Sequence, residues 1–131
     1  MLECPENLLY NLRHMWVEKL PGRKKRARVG MTHYREEELP EILSLDLPMV
    51  GDEVEIDDEC FHLHLPSGVI EHVPIPLTGR ILEINREVLD RPDLIHVDPY
   101  KHWLVEMEYD EPAEFELLIE PRRYVAYVES L

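Results

Sequence analysis

No stretch of this sequence is apolar for long enough to cross a bilayer, and the N-terminus has no basic segment leading into an apolar one. Neither a membrane span nor a secretory leader is expected. Cysteine is scarce: the two present, Cys4 and Cys60, have no CxxC spacing, and a chain of 131 residues can bury a core without staples. Both read as plain thiols in a reducing compartment, the cytoplasm. Positive charge is short as well, with 14 Lys and Arg against 28 Asp and Glu, a net −14 that argues against a nucleic-acid binder and suits a soluble monomer. The shortage is uneven. Residues 1–28 hold seven basic side chains against three Glu, and the run Arg23-Lys24-Lys25-Arg26-Ala27-Arg28, without interleaved aromatics, reads as a solvated hairpin tip and its flanking strand. Also missing are a GxSxG elbow, a P-loop, a Gly-rich dinucleotide fingerprint and any Ser/His/Asp order, so no enzymatic activity is expected.

What the chain does have is period-two alternation. The central example is Cys60 to Gly79, where Phe61, Leu63 and Leu65 alternate with His62 and His64, Pro66-Ser67-Gly68 supplies turn chemistry, and Val69, Ile70 and Val73 carry the chain back. This is a β-hairpin. With Ser67-Gly68 as a two-residue turn, Pro66 faces Val69, Leu65 faces Ile70 and His64 faces Glu71. His62, His64 and Glu71 then share a face and make a conceivable three-ligand metal set, weighed against plain cross-strand pairing, which is the preferred reading. His72 would join that face only if the turn held three residues. His14, His33, His96 and His102 receive no role, Cys60 reads as buried and unactivated, and the acidic runs Glu36-Glu37-Glu38 and Asp57-Asp58-Glu59 read as solvated faces.

Elsewhere, residues 1–9 read as a lead-in, and residues 12–19 alternate as a first strand that ends at the Leu20-Pro21-Gly22 turn. A return strand covers Arg26 to Met31. Thr32 stands at an N-cap position before a short helix, Tyr34 to Leu39, bounded by Pro40. Strands follow over Glu41 to Leu47, around Val54 and Ile56, over Arg80 to Asn85 and over Trp103 to Met107, with a brief helix after Asn85 and loops at Arg91-Pro92-Asp93 and Asp98-Pro99-Tyr100. Residues 112–131 change to helical period: Pro112 starts a segment to Leu118, and Pro121 opens a helix whose Tyr124, Val125, Tyr127 and Val128 form one apolar stripe. No internal repeat is visible. Residues 1–131 therefore read as one small, mostly β domain with helical trimmings.

Six segments in order resemble the H protein of the glycine cleavage system: Tyr10-x-x-x-His14-x-Trp16, Val29-Gly30-Met31-Thr32-x-Tyr34, Leu47-Pro48-x-Val50-Gly51-Asp52-x-Val54-Glu55, Pro76-Leu77-Thr78-Gly79-x-Ile81-Leu82-Glu83-Ile84-Asn85, Pro92-x-Leu94-Ile95 and Asp98-Pro99-Tyr100-x-x-x-Trp103-Leu104. The resemblance implies a barrel-sandwich hybrid of the lipoyl/biotinyl-domain kind with short flanking and C-terminal helices. It also implies a lysine at the hairpin tip, in a pattern like E-S-V-K-A, to which lipoate is attached. Counted back from Pro76, that position falls on Gly68, and the only lysines of the chain are Lys19, Lys24, Lys25 and Lys101. Glycine has no amine to acylate. The expectation is a non-lipoylated H-protein-like protein with no cofactor and no catalytic or metal-ligating residue, acting as a binding or accessory module for glycine cleavage or lipoate-handling enzymes. The alternatives are the metal set of His62, His64 and Glu71, and a glycine cleavage carrier in name only.

Overall fold

The computed structural model describes residues 3–22 and 24–131. The expected Arg23 end of the basic run lies outside the described residues. Among the described residues nine strands form two antiparallel sheets. A six-stranded sheet has the order β1-β2-β3-β9-β8-β5, from Leu9–Tyr10 (β1), Met15–Lys19 (β2), Arg26–Met31 (β3), Val105–Tyr109 (β9), Gly79–Ile84 (β8) and Glu53–Val54 (β5). A three-stranded sheet has the order β4-β6-β7, from Ser44–Asp46 (β4), Phe61–His64 (β6) and Ile70–Val73 (β7). Short helices among the described residues trim them: His33–Glu38 (α1), Arg86–Asp90 (α2), Leu94–Val97 (α3) and Pro121–Glu129 (α4). This is the mostly β barrel-sandwich architecture expected.

The core follows from strand alternation. Met15, Val17, Ala27, Val29, Ile81, Val105 and Met107 of the larger sheet pack into one cluster with Leu45, Phe61, Leu63 and Val73 of the smaller one. Apolar residues at every second position go inward together. β2 departs from simple alternation, because Met15, Trp16 and Val17 are all buried. Trp16 turns outward into a second cluster with Leu8, Tyr10 and Tyr124, and its indole N–H donates to the Pro99 carbonyl at 3.1 Å. Tyr10 and Tyr124 stack there with ring centroids 4.7 Å apart, so α4 is held by an aromatic pair as well as by burial. Opposite Trp16 across the ladder stands Gly30, and a Cβ there would come within 2.5 Å of the indole. The Trp16–Gly30 pair is one steric unit.

Several elements differ from the sequence reading. The strand expected over residues 12–19 is cut by a tight turn at Asn11–His14, where the Asn11 carboxamide oxygen accepts from the backbone N–H of Arg13 and Met15 at 3.0 and 2.9 Å. His14 takes φ 66° in that turn. Leu9, at the end of the expected lead-in, joins Tyr10 as an edge strand. The strand expected from Glu41 shrinks to Ser44–Asp46, and the one around Val54 and Ile56 to Glu53–Val54. The last strand is displaced by two residues from the expected Trp103 to Met107, starting at Val105 and running to Tyr109, where it pairs with β3 and β8. Glu106 accepts from Arg26 and Arg28 at 3.5 and 3.3 Å, and Glu108 from Arg80 at 3.4 Å, so part of the basic run is absorbed into a charge ladder across the sheet. α3 sits between the two loop signals, where no helix is expected. Glu36 is buried and bonded to His96 Nδ1, so the first of the acidic runs is not wholly solvated.

Thr32 caps α1 as expected, accepting from the Arg35 N–H at 3.3 Å. Asn85 holds the N-cap position of α2 but spends its side chain elsewhere, donating Nδ2 to the Trp103 carbonyl at 2.7 Å. Pro112–Leu117 forms a 3-10 segment rather than an α-helix, and α4 begins at Pro121 as expected.

Gly79 is opposite Tyr109 in the β8–β9 ladder, and a Cβ on it would overlap the Glu108 carbonyl, which is fixed backbone. Gly79→Ala is expected to lower unfolding free energy by about 2–3 kcal/mol, the range of a core overpacking change, in urea melts followed by far-UV circular dichroism.

Candidate functional site

The β6–β7 hairpin has a different register from the one expected. Phe61 pairs with Val73, His62 with His72, Leu63 with Glu71 and His64 with Ile70, and the turn holds three residues, Pro66–Gly68. The reason is chemical. A two-residue turn would need Pro66 to close the ladder against Val69, and proline has no N–H to donate. Closure moves out by one residue, and the Leu65 N–H donates to the Val69 carbonyl at 2.8 Å. Ser67 at φ 64° and Gly68 at φ +75° take up the reversal in left-handed conformations. Gly68 is fully at the surface, with nothing within 4 Å of where a Cβ would stand.

One step of register reassigns every side chain. Glu71 now shares a face with buried Leu63 and reaches Arg35, whose Nη2 lies 2.9 Å from its carboxylate. The set His62, His64 and Glu71 is therefore split between two faces. Among the described residues no three His, Cys, Asp or Glu side chains converge as they would around a metal ion. What the register does bring together is a transverse row, Asp46, His62 and His72, one residue from each strand of the smaller sheet. The His62 and His72 rings meet edge to face at 5.0 Å. The Asp46 carboxylate lies 2.8 Å from His64 Nε2 and 3.8 Å from His62 Nδ1. Asp46 is the member that sequence reasoning missed, while His72 joins the face under the condition set for it, a turn of three residues. The proline at the turn was the signal that could have fixed the place of His72.

Cys60, at the foot of the hairpin, is pushed up to about 11 by burial, and the nearby Asp58 and Asp52 carboxylates push the same way. Such a thiol stays protonated at neutral pH and is a poor nucleophile. Beyond β7, a groove of about 300 Å³ separates Glu71, His72, Val73 and Pro74 from Leu12, Arg13, His14 and Arg35. His14 forms part of its wall, bonded through Nδ1 to the Tyr124 hydroxyl at 2.8 Å, which in turn meets the Thr32 hydroxyl at 2.8 Å.

The comparisons with known proteins agree with this geometry. The family model "Glycine cleavage H-protein" matches residues 8–131. The chain belongs to the glycine cleavage H-protein family. It is 30% identical over 136 residues to the glycine cleavage system H protein of Oceanobacillus iheyensis, covering 98% of this chain and 100% of that one. With the H protein of Halothermothrix orenii the identity is 34% over 131 residues, covering 99% of each. The crystal structure of a glycine cleavage system H protein from Mycobacterium marinum superposes with a TM-score of 0.78 at 26% identity, covering 97% of this chain and 99% of that one. H proteins are carriers rather than enzymes, in line with the expectation that this chain is not itself a catalyst. No helix among the described residues is long and apolar enough to cross a membrane.

Burial holds the His14 pKa below the ordinary imidazole value, with Glu38 opposing and Arg35 reinforcing the shift. As pH falls below about 6.5 the unfolded chain binds the proton first, so the contribution of His14 to stability is present above that value and is lost below it. His14→Asn keeps a residue that tolerates positive φ. The wild type is expected to be the more stable by about 1 kcal/mol at pH 8 through its half-buried hydrogen bond to the Tyr124 hydroxyl, and this margin should narrow at pH 5.5 in parallel urea titrations.

Proposed function

We propose that this H-protein-like chain serves as a non-lipoylated binding or accessory module, rather than as a carrier. The observation behind this reading is Gly68, an exposed tip residue with no side chain where the family resemblance calls for an acylated lysine. Lipoate is held through an amide to a lysine amine. Lys19, Lys24, Lys25 and Lys101 all lie outside the hairpin, so none of them substitutes by a neighbouring shift.

A protein partner follows from family membership, and the chemistry of that partner is part of the proposal: a glycine cleavage enzyme or a lipoate-handling enzyme that recognises this fold. In this reading the chain works as a cytoplasmic monomer, with residues 1–131 acting as one domain and no bound cofactor. The unreactive state of Cys60 supports it, because that thiol offers no replacement for a dithiol arm.

The test is intact-mass measurement of protein produced in a lipoate-competent host, paired with capture of purified glycine cleavage and lipoate-transfer enzymes. An unmodified mass together with capture of one of these enzymes is expected, and a lipoyl adduct on any lysine overturns the proposal. Gly68→Lys supplies the amine in open space but puts a side chain at positive φ. It should cost about 1–2 kcal/mol of stability and gain a lipoyl group in the same host, read as an added mass on the intact chain.

A further inference from the structure

β7 is the last strand of its sheet, and the direction of its backbone groups can be read from the bonds of its neighbours. Leu65 and Val69 form a hydrogen-bonded pair, so in an antiparallel ladder Leu63 with Glu71 and Phe61 with Val73 do the same. The intervening pairs, His64 with Ile70 and His62 with His72, point their N–H and C=O groups away from each other. The His64 carbonyl confirms this parity by accepting from Leu43 N–H, on the β4 side, at 2.8 Å. The N–H and C=O of Ile70 and of His72 therefore face outward from an edge that no strand covers among the described residues. That edge borders the groove walled by Leu12, Arg13, His14 and Arg35. Arg35 is already paired with Glu71 and Glu38, whereas Arg13 is exposed and makes no ion pair among the described residues, on a chain with 28 carboxylates. Leu12, next to it in the chain, and Val69 and Ile70, where β7 begins, are 52%, 50% and 45% exposed.

We propose that the β7 edge takes an extended acidic segment of a partner protein as a fourth strand of this sheet, resting on the binding-module reading above and naming its surface. Strand addition draws its affinity from main-chain hydrogen bonds and its selectivity from alternate side chains. Here the incoming residue beside His72 prolongs the row of Asp46, His62 and His72, where a carboxylate fits. The residue beside Ile70 is apolar. The one between them stands opposite Glu71, whose charge Arg35 already balances at 2.9 Å, and turns toward the groove, where Arg13 calls for a second carboxylate. Four edge residues limit the segment to about as many of its own.

The probe is acetyl-Thr-Asp-Glu-Val-Thr-amide, in the antiparallel sense that sets Asp beside His72 and Val beside Ile70. In ¹H–¹⁵N spectra of the full chain, titration should shift the amides of Ile70, His72 and Arg13. Methylating the peptide nitrogens of Asp and Val, which face β7, should weaken binding about tenfold or more, while methylating that of Glu, which faces away, should leave it nearly unchanged. Arg13→Glu, a surface change, should also weaken it about tenfold. Absence of binding at millimolar peptide, or equal losses from both methylation patterns, overturns the proposal. Capture of a glycine cleavage or lipoate-transfer enzyme that survives Arg13→Glu without peptide binding removes the edge alone and leaves the accessory role standing. A lipoyl adduct in the mass measurement removes the accessory role and leaves the peptide result to stand by itself.

Discussion

Pro66 cannot donate a backbone hydrogen bond, and the arrangement of the smaller sheet depends on that single incapacity. Because the ladder closes at Leu65 instead, β7 is displaced by one residue relative to a two-residue hairpin. His72 is brought beside His62, Glu71 is sent to Arg35, and the backbone groups of Ile70 and His72 are turned to the open edge. A two-residue turn would have reversed each of these. Ser67 and Gly68 absorb the consequence in left-handed conformations, which for serine carries a steric cost that the closing bond and the packing of Leu65 offset.

The larger sheet is organised by a different constraint, the need to bury β2 on both sides. Trp16 leaves the central core and requires a glycine opposite, a tyrosine pair behind and a carbonyl for its N–H. α4 is recruited by the same cluster, through Tyr124 and the hydroxyl chain that joins it to His14 and Thr32. Local choices made far apart in the sequence thus agree on one packing arrangement.

The fold was largely legible in the sequence because alternation survives wherever one face of a strand is buried. β3 and β8 were bounded almost to the residue, and Thr32 and Pro121 marked their helices correctly. Failures came where a side chain bonded to the backbone against the pattern, as Asn11 does in breaking the first strand, or where tertiary pairing ended a strand that periodicity would prolong, as in β4. The hairpin tip was legible in composition but not in register. Alternation is indifferent to a shift that a missing N–H decides, and so Glu71 was drawn on the face of His62 and His64 when it lies on the other. α3 lacked any apolar period long enough to announce it, spanning Leu94–Val97 between two proline-containing loops.

The open strand has a further consequence for behaviour at high concentration. An uncovered row of amides is ordinarily a template on which identical molecules stack, yet here proline stands on either side of it, at Pro66 and Pro74, and the row is four residues long. A second copy of the chain brings its whole body of net −14 with it and is repelled before so brief a template can hold it, a cost that a short segment with two carboxylates, received at Arg13 and His72, does not carry. The molecule is thereby guarded against fibrillar self-assembly while its edge stays available to visitors of another kind.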